Sequence, residues 1–116
     1  MSKRGNKPKF GRVRNQRVAL EKSLVTALLD HGRITTTKAK AKRLSTVVDK
    51  MITLAKKQNL ASRRLLRTKI GSKAVDILMK DVSPRFSETQ GGYTRVIRLE
   101  RRKSDGSEMA IIEFTK

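Results

Sequence analysis

Apart from its cations, this sequence contains few side chains that could do chemistry. Its 116 residues include one histidine and no cysteine, and its 10 acidic residues are scattered. No serine lies in a nucleophile-elbow pattern, and without cysteine there is no thiol chemistry, disulfide or thiolate metal site. His31 precedes Gly32 at a predicted helix end, where a cation complements the helix dipole. The sequence therefore predicts no catalytic residue, no metal site, no cofactor and no small-molecule substrate.

Two adjacent glycines, Gly91 and Gly92, lie in the segment QGGYTR, directly before a predicted strand. The segment lacks the Gly-Lys-Ser/Thr ending of a P-loop and does not open a helix, so it does not predict a nucleotide site. Two compatible roles remain. The glycines can satisfy the backbone angles of a turn, and they can let the loop backbone approach RNA, with Arg85 and Arg95 placed on either side to meet phosphates.

The net charge points to a polyanionic partner. Lys and Arg total 29 against 10 acids, which gives a net charge of +19. Such a chain repels itself, and binding nucleic acid is favourable because counterions are released. An anionic membrane is the alternative, but no apolar run approaches the roughly 18 residues needed to span a bilayer, so we expect no membrane insertion. No apolar signal region follows the N-terminus, and we expect a cytoplasmic protein.

Residues 1–12 are predicted to form an extended basic arm. The opening segment MSKRGNKPKFGRVRNQR contains no acid, and Gly5, Pro8 and Gly11 oppose an uninterrupted helix. A solvated tail and an organelle-targeting peptide are alternative interpretations. The cations of this segment that we expect to contact RNA are Lys3, Arg4, Lys7, Lys9, Arg12, Arg14 and Arg17.

Residues 13–116 are predicted to form a single RNA-binding domain. Apolar residues at spacings of three and four predict four helices, with Gly32 after the first and Pro84 as the limit of the last. The helices are expected over about 13–31, 38–58, 61–70 and 73–80. The apolar stripe of the second helix consists of Ala41, Leu44, Val48, Met51, Ile52 and Ala55.

Three strands complete the predicted domain. The β-branched segment Arg33 to Thr37 forms one, and Tyr93 to Arg102 and Met109 to Thr115 form a hairpin whose turn contains Asp105-Gly106. A threonine of the first strand can cap the second helix. The fold class is α+β: two layers, with helices on one face of a small, about three-stranded mixed sheet, or a fully antiparallel one as the alternative. With aromatics at 3%, the core must be mostly aliphatic.

The second helix has one nearly all-basic face, which only Asp49 interrupts. A solvated helix face usually mixes signs for i,i+4 pairing, so this face suits contact with phosphates. The chain has too few aromatic residues to form a platform on which the bases of single-stranded RNA could stack. Its cations lie on several sides, which favours a protein embedded in folded RNA. A histone-like DNA-compacting protein remains the alternative. The body residues expected at RNA are Arg33, Lys38, Lys40, Arg63, Arg64, Arg67, Arg85, Gly91, Gly92, Tyr93, Arg95 and Arg98.

Two segments together resemble the family of bacterial large-subunit ribosomal protein seventeen, over about Phe10 to Phe114. They are RVALEKSLVTALLDHGRITTTKAKAKRLSTVVDKMITLAKK and SPRFSETQGGYTRVIRLERRKSDGSEMAIIEF. The resemblance implies a structural constituent of the large ribosomal subunit that binds and stabilises folded ribosomal RNA near the nascent-chain tunnel exit. It also implies neighbouring large-subunit proteins as partners and no enzymatic activity. The chain departs from the family's pattern at Arg43, Leu44 and Ser45, where an acid, Leu and Arg are usual.

Overall fold

A computed structural model describes residues 14–116, and the predicted arm over 1–12 lies outside the described residues. The four predicted helices and three predicted strands are all present in the expected order. The helices are α1 (Arg14–His31), α2 (Lys38–Ala55), α3 (Leu60–Lys69) and α4 (Ser72–Ile77), and the strands are β1 (Arg33–Thr37), β2 (Thr94–Arg98) and β3 (Met109–Phe114).

Two local devices join α1, β1 and α2 with almost no loop. Gly32 ends α1 in the left-handed conformation, with φ of 80°. Its N–H donates to the carbonyl oxygen of Leu28 at 2.8 Å, as at many helix C-termini. Thr37, the last residue of β1, is also the N-cap of α2, where its hydroxyl accepts from the N–H of Lys40 at 3.4 Å. The predicted threonine cap is therefore confirmed.

The second helix ends at Ala55 and not near Gln58 as predicted. Gln58 itself has a positive φ of 54°, an uncommon conformation for a non-glycine residue. Its side-chain amide donates to the carbonyl of Met79 and the hydroxyl of Ser83, both at 2.9 Å. Because these partners lie 21 and 25 residues away, the tertiary fold determines where α2 ends.

Helical backbone continues beyond the predicted end of the fourth helix. After α4 the chain forms a π turn over Leu78–Val82 and a 3₁₀ turn over Ser83–Phe86. The prediction that Pro84 ends helical structure is therefore wrong. Pro84 lies in the first positions of the 3₁₀ turn, where its missing N–H costs no internal hydrogen bond. The extra turns carry Phe86 into the core, where it is fully buried.

The sheet is antiparallel throughout, in the order β1-β3-β2, and not mixed. The chain pairs both β1 and β2 with opposite edges of β3, so that Ile34 and Val96 flank Ile112. The predicted hairpin is present, but β2 ends at Arg98 and not at Arg102. The loop between β2 and β3 is closed by the N–H of Arg102, which donates to the carbonyl of Ser107 at 2.8 Å.

The two faces of the sheet have different surroundings. Along β3 burial alternates, so that Ala110, Ile112 and Phe114 are buried while the residues between them are half-exposed. The helices pack on the face of the buried residues. The opposite face, which we call the outer sheet face, consists of Arg33, Thr35, Thr37, Arg95, Ile97, Met109, Ile111 and Glu113.

The core is aliphatic, as predicted, with one aromatic cluster added. All six residues of the predicted α2 stripe are buried. Phe86 packs edge-on against Tyr93 with ring centroids 5.2 Å apart, and Phe114 lies 6.4 Å from Phe86. These rings close the core between the sheet and the end of the helical segment. They therefore do not offer their faces to solvent.

The hairpin loop makes a prediction for the titration of Asp105. The N–H of Ser107 and the bidentate guanidinium of Arg102 donate to its carboxylate, at 3.0 and 3.1 Å. These contacts lower the pKa of Asp105 from 3.8 to about 2. Because the folded pKa is depressed, the stabilisation is fully present above pH 3.8 and is lost as the pH falls towards about 2. We expect Arg102→Gln to raise this pKa without restoring 3.8, because the Ser107 N–H still donates.

The measurement is an NMR titration of the Asp105 carboxyl carbon. Arg101→Gln is the matched control, because Arg101 pairs with Glu108 and not with Asp105. An equal rise of the Asp105 pKa in both variants would contradict the assigned contacts.

Candidate nucleic-acid interface

Carboxylates of the described residues already hold five of the cations that the sequence predicted at RNA. Such pairs at the surface contribute roughly 0–1 kcal/mol each to stability, so their main effect is to reduce the local positive charge. The pairs are Arg33 and Arg95 with Glu113, Lys38 with Glu108, Arg63 with Asp76, and Arg85 with Asp81.

The other predicted cations of residues 14–116 form no ion pair with a carboxylate of that range. They are Arg14, Arg17, Lys40, Arg64, Arg67 and Arg98. Two of them had been grouped with the extended arm. Arg14 and Arg17 in fact lie in the first turns of α1. Helix α1 therefore begins at Arg14, close to the start at about residue 13 that the apolar periodicity predicted, and these two cations belong to the folded domain and not to the arm over 1–12.

Helices α1, α2 and α3 together line a cleft of about 560 Å³ with a basic rim and an apolar floor. The cations along it are Arg14, Lys22, Arg43, Lys50 and Lys69. Val25, Met51 and Leu66 contribute to the floor. Phosphates at the rim would meet ammonium and guanidinium groups from three helices at once.

One cation of the cleft has a structural partner. The Nε of Arg43 donates to Oε1 of Glu21 at 2.8 Å, and both side chains are half-buried. This contact joins α2 to α1 across 22 residues of sequence. The remaining rim cations keep their charge uncompensated by any described carboxylate.

Three rim lysines were absent from the predicted set. Lys22, Lys50 and Lys69 come from three different helices. Lys50 could have been predicted from the basic face of α2. The periodicity of a single helix cannot relate Lys50 to Lys22 and Lys69, because these lie on other helices. Only the packing of α1 and α3 against α2 brings the three ammonium groups to the same cleft.

Asp49, the acid that interrupts the basic face of α2 in the sequence, is directed to the sheet. Its Oδ1 accepts from the hydroxyl of Thr94 at 3.1 Å, and that hydroxyl also contacts the Ser45 hydroxyl at 2.8 Å. Burial raises the pKa of Asp49, and the hydrogen bonds from Thr94 offset part of that rise. The exposed cations of α2 are consequently separated from the single acid of their helix.

The glycine pair has the backbone conformation that the turn interpretation requires. Gly91 and Gly92 have φ of 85° and 65°, in the left-handed region. A Cβ at either position would meet no atom within 4 Å, so the constraint is conformational and not steric crowding. Both residues are exposed. The first of the two predicted roles is therefore supported, and approach of this backbone to RNA stays a prediction.

Tyr93 anchors the glycine loop in the core. The residue is 2% exposed, and its ring packs on Phe86. The ammonium of Lys56 contacts both the Tyr93 hydroxyl and the carbonyl of Thr89, at the other end of the loop. Since the ring is enclosed, it has no face on which a nucleotide could stack. The sequence prediction that Tyr93 contacts RNA thus finds no support in its position.

Within residues 14–116, no group of three or more His, Asp or Glu side chains is placed to hold a metal ion. Over the same range no helix has both the length and the apolar character that crossing a membrane would need.

The positive φ of Gly91 predicts a cost for any side chain there. We expect Gly91→Ser to lower the free energy of unfolding by about 1–2 kcal/mol, because a Cβ disfavours the left-handed conformation. Gly71→Ser is the matched control: Gly71 has φ of −70° at the N-cap of α4 and no side-chain cap, so serine should leave stability unchanged or raise it. Urea unfolding followed by circular dichroism measures both. Equal losses would show that φ is not the cause.

The sequence is similar to known ribosomal proteins. The family model described as ribosomal protein L17 matches residues 20–115. Three curated relatives carry the name large ribosomal subunit protein bL17. That of Bdellovibrio bacteriovorus is 50% identical over 106 residues, which cover 90% of this chain and 59% of the relative. That of Shouchella clausii is 48% identical over 115 residues, covering 91% and 96%, and that of Persephonella marina is 46% identical over 110 residues, covering 92% and 89%.

Proposed function

Because this chain belongs to the ribosomal protein L17 family, we propose that it binds and stabilises folded ribosomal RNA as a structural constituent of the large ribosomal subunit. The family consists of structural ribosomal proteins and not of enzymes, so we assign no catalytic step. The bacterial relatives are large-subunit proteins, and the large subunit is cytoplasmic, which is the localisation expected from the sequence.

The observation that carries the RNA-binding proposal is the unequal neutralisation of cations over the surface. On the sheet Glu113 contacts Arg33 and Arg95, and beside it Glu108 contacts Arg101 and Lys38, the first residue of α2. Along the helical cleft, Glu21 holds Arg43, and no other rim cation is paired with a described carboxylate. A polyanion gains most by binding where cations are unpaired, because counterions are released without a protein ion pair being broken. The helical side is therefore the RNA-binding side in this proposal.

The helical cations would act by two geometries. Exposed Arg64 and Arg67 on α3 can each hold a phosphate through two parallel hydrogen bonds. The lysines of the cleft act as point charges, which tolerate varied phosphate positions. Gly91 and Gly92 would let the loop backbone approach RNA, since both are exposed. The folded domain contributes three further cations that we expect to contact RNA, namely Arg98, Lys40 and Arg17. The paired cations of the sheet contribute less.

The basic arm belongs to the same proposal, although its cations lie outside the described residues. Lys3, Arg4, Lys7, Lys9 and Arg12 have no acid among them in the sequence. We propose that these cations contact phosphates between RNA helices, while the folded domain fixes the position of the protein on the RNA. A site near the nascent-chain tunnel exit, beside neighbouring large-subunit proteins, is also part of the proposal and rests on the family resemblance.

Sedimentation tests the function itself. In a sucrose gradient of cell lysate, first at high and then at low magnesium, we expect the chain to follow the large subunit through dissociation and to survive a moderate-salt wash. If the chain stays at the top, or travels only with DNA, the ribosomal proposal fails and a DNA-compacting protein takes its place.

Charge substitutions in the cleft test the assigned surface. For purified full-length protein and large-subunit ribosomal RNA, we expect Lys22→Gln, Lys50→Gln and Lys69→Gln each to weaken binding. Each should reduce the slope of log affinity against log salt by roughly 1. Lys103→Gln, in the exposed hairpin loop outside the cleft, is the matched control and should leave the slope unchanged. Loss in the control, with none in the cleft variants, would place the RNA on the other side.

A further inference from the structure

The outer sheet face carries an aliphatic row that no described element covers. In this row Ile97 of β2 lies opposite Ile111 of β3, and the polar Thr35 of β1 borders Ile111 on its other side. Ile97 is 41% exposed, and Leu99, which follows β2, is 42% exposed. Leu99 extends the row because its N–H donates to the carbonyl of Met109 at 2.9 Å. Contiguous exposed aliphatic side chains rimmed by polar groups mark interaction surfaces.

We propose that the outer sheet face docks a neighbouring protein of the large subunit, through a segment that presents aliphatic side chains with a carboxylate beside them. The inference rests on the proposed large-subunit role and adds that RNA and protein contact different sides of the domain. RNA contacts the helical side, and protein contacts the sheet.

The charges of this face are arranged for a protein partner. In register at one end of the sheet, Arg33 and Arg95 flank Glu113, at 3.6 and 2.8 Å. The side chain of Glu113 is only 17% exposed, whereas the side chains of Arg33 and Arg95 are 60% and 56% exposed. One carboxylate between two guanidiniums leaves one positive charge uncompensated at the edge of the aliphatic row. A single carboxylate from a partner matches that charge.

Ribosomal RNA fits this face poorly. The centre of the face is aliphatic, so phosphates placed over it would lose hydration without gaining a cation. Within residues 14–116 no aromatic ring lies on the face for a base to stack on, because Phe86, Tyr93 and Phe114 are buried. The same residue types, with charge depleted at the centre and arginine at the rim, are those of protein–protein contacts.

A second copy of this chain is also disfavoured. The chain carries a net charge of +19, and two copies would bring that charge together without an intervening polyanion. A partner with an acidic group beside an apolar segment fits this face better. Its apolar segment covers the aliphatic row, and its acidic group neutralises the remaining positive charge.

Photocrosslinking within assembled large subunits tests the proposal. A diazirine-bearing aliphatic amino acid replaces Ile97 in the full chain, because its carbene inserts into protein and nucleic acid alike. The matched control places the same amino acid at Leu65 of α3, which is 53% exposed and adjacent to Arg64. Subunits are purified, irradiated and digested with nuclease and protease, and the adducts are identified by mass spectrometry.

At position 97 we expect peptide adducts from one other large-subunit protein, and at position 65 adducts with nucleotides. Nucleotide adducts at 97, adducts with a second copy or with residues 1–13 of the same chain, or no adduct at 97 in subunits that crosslink at 65 would each overturn the inference. These outcomes leave the proposed function standing. If the chain is missing from the large subunit altogether, the proposed function fails and this inference fails with it.

A second variant measures the contact without a photoreactive group. We expect Ile97→Asn to leave the far-ultraviolet circular dichroism of the isolated protein unchanged, because Ile97 is exposed. Its loss from large subunits in a low-salt wash should be faster, on the order of tenfold. The salt dependence of its binding to ribosomal RNA should stay as in the unmodified chain. Unchanged retention, or a changed salt dependence, would contradict a protein contact at this face.

Discussion

Mutual repulsion among 29 cations is the constraint on which the rest of this structure depends. Only 10 acids oppose them, and their placement decides where the surface is neutralised. Asp105, Glu108 and Glu113 lie in the last third of the chain and together hold four cations of the sheet and hairpin loop, and Glu108 also holds Lys38 at the start of α2. The helical side has more cations, and a smaller share of them is paired with a described carboxylate, namely Lys38, Arg43, Arg63 and Arg85. One chain thus presents a nearly balanced surface and a strongly basic one.

Packing of α2 on the sheet produces this separation. Its buried stripe faces strand β3, so its cations other than Lys38, which pairs with Glu108 beside β3, lie on the faces directed away from the sheet. Asp49 is the exception, and its bond to Thr94 ties it to β2, away from the basic face. The packing of α1 and α3 beside α2 then gathers lysines from three helices around one cleft. Hydrophobic burial therefore determines which cations lie close together, because side chains of different helices become neighbours only when the helices pack.

The aromatic residues illustrate how a small domain uses few large side chains. Phe86 reaches the core only because helical backbone continues through a π turn and a 3₁₀ turn past Pro84. Tyr93 packs against it and holds the glycine loop through Lys56. The loop is thereby held at both ends, at Thr89 and at Tyr93, while Gly91 and Gly92 stay exposed. A loop held in this way loses less conformational freedom when its backbone meets a partner.

The sequence by itself determined the elements of this protein. Apolar periodicity, the threonine cap and the Asp105-Gly106 turn are local properties, so all four helices and the hairpin could be predicted from them. Tertiary structure decided the rest. The fully antiparallel sheet, the end of α2 at Ala55 and the burial of Tyr93 depend on residues distant in sequence. The basic character of the surface was evident from composition. Which cations are neutralised was not, because an ion pair such as Arg43–Glu21 forms only after two helices have packed.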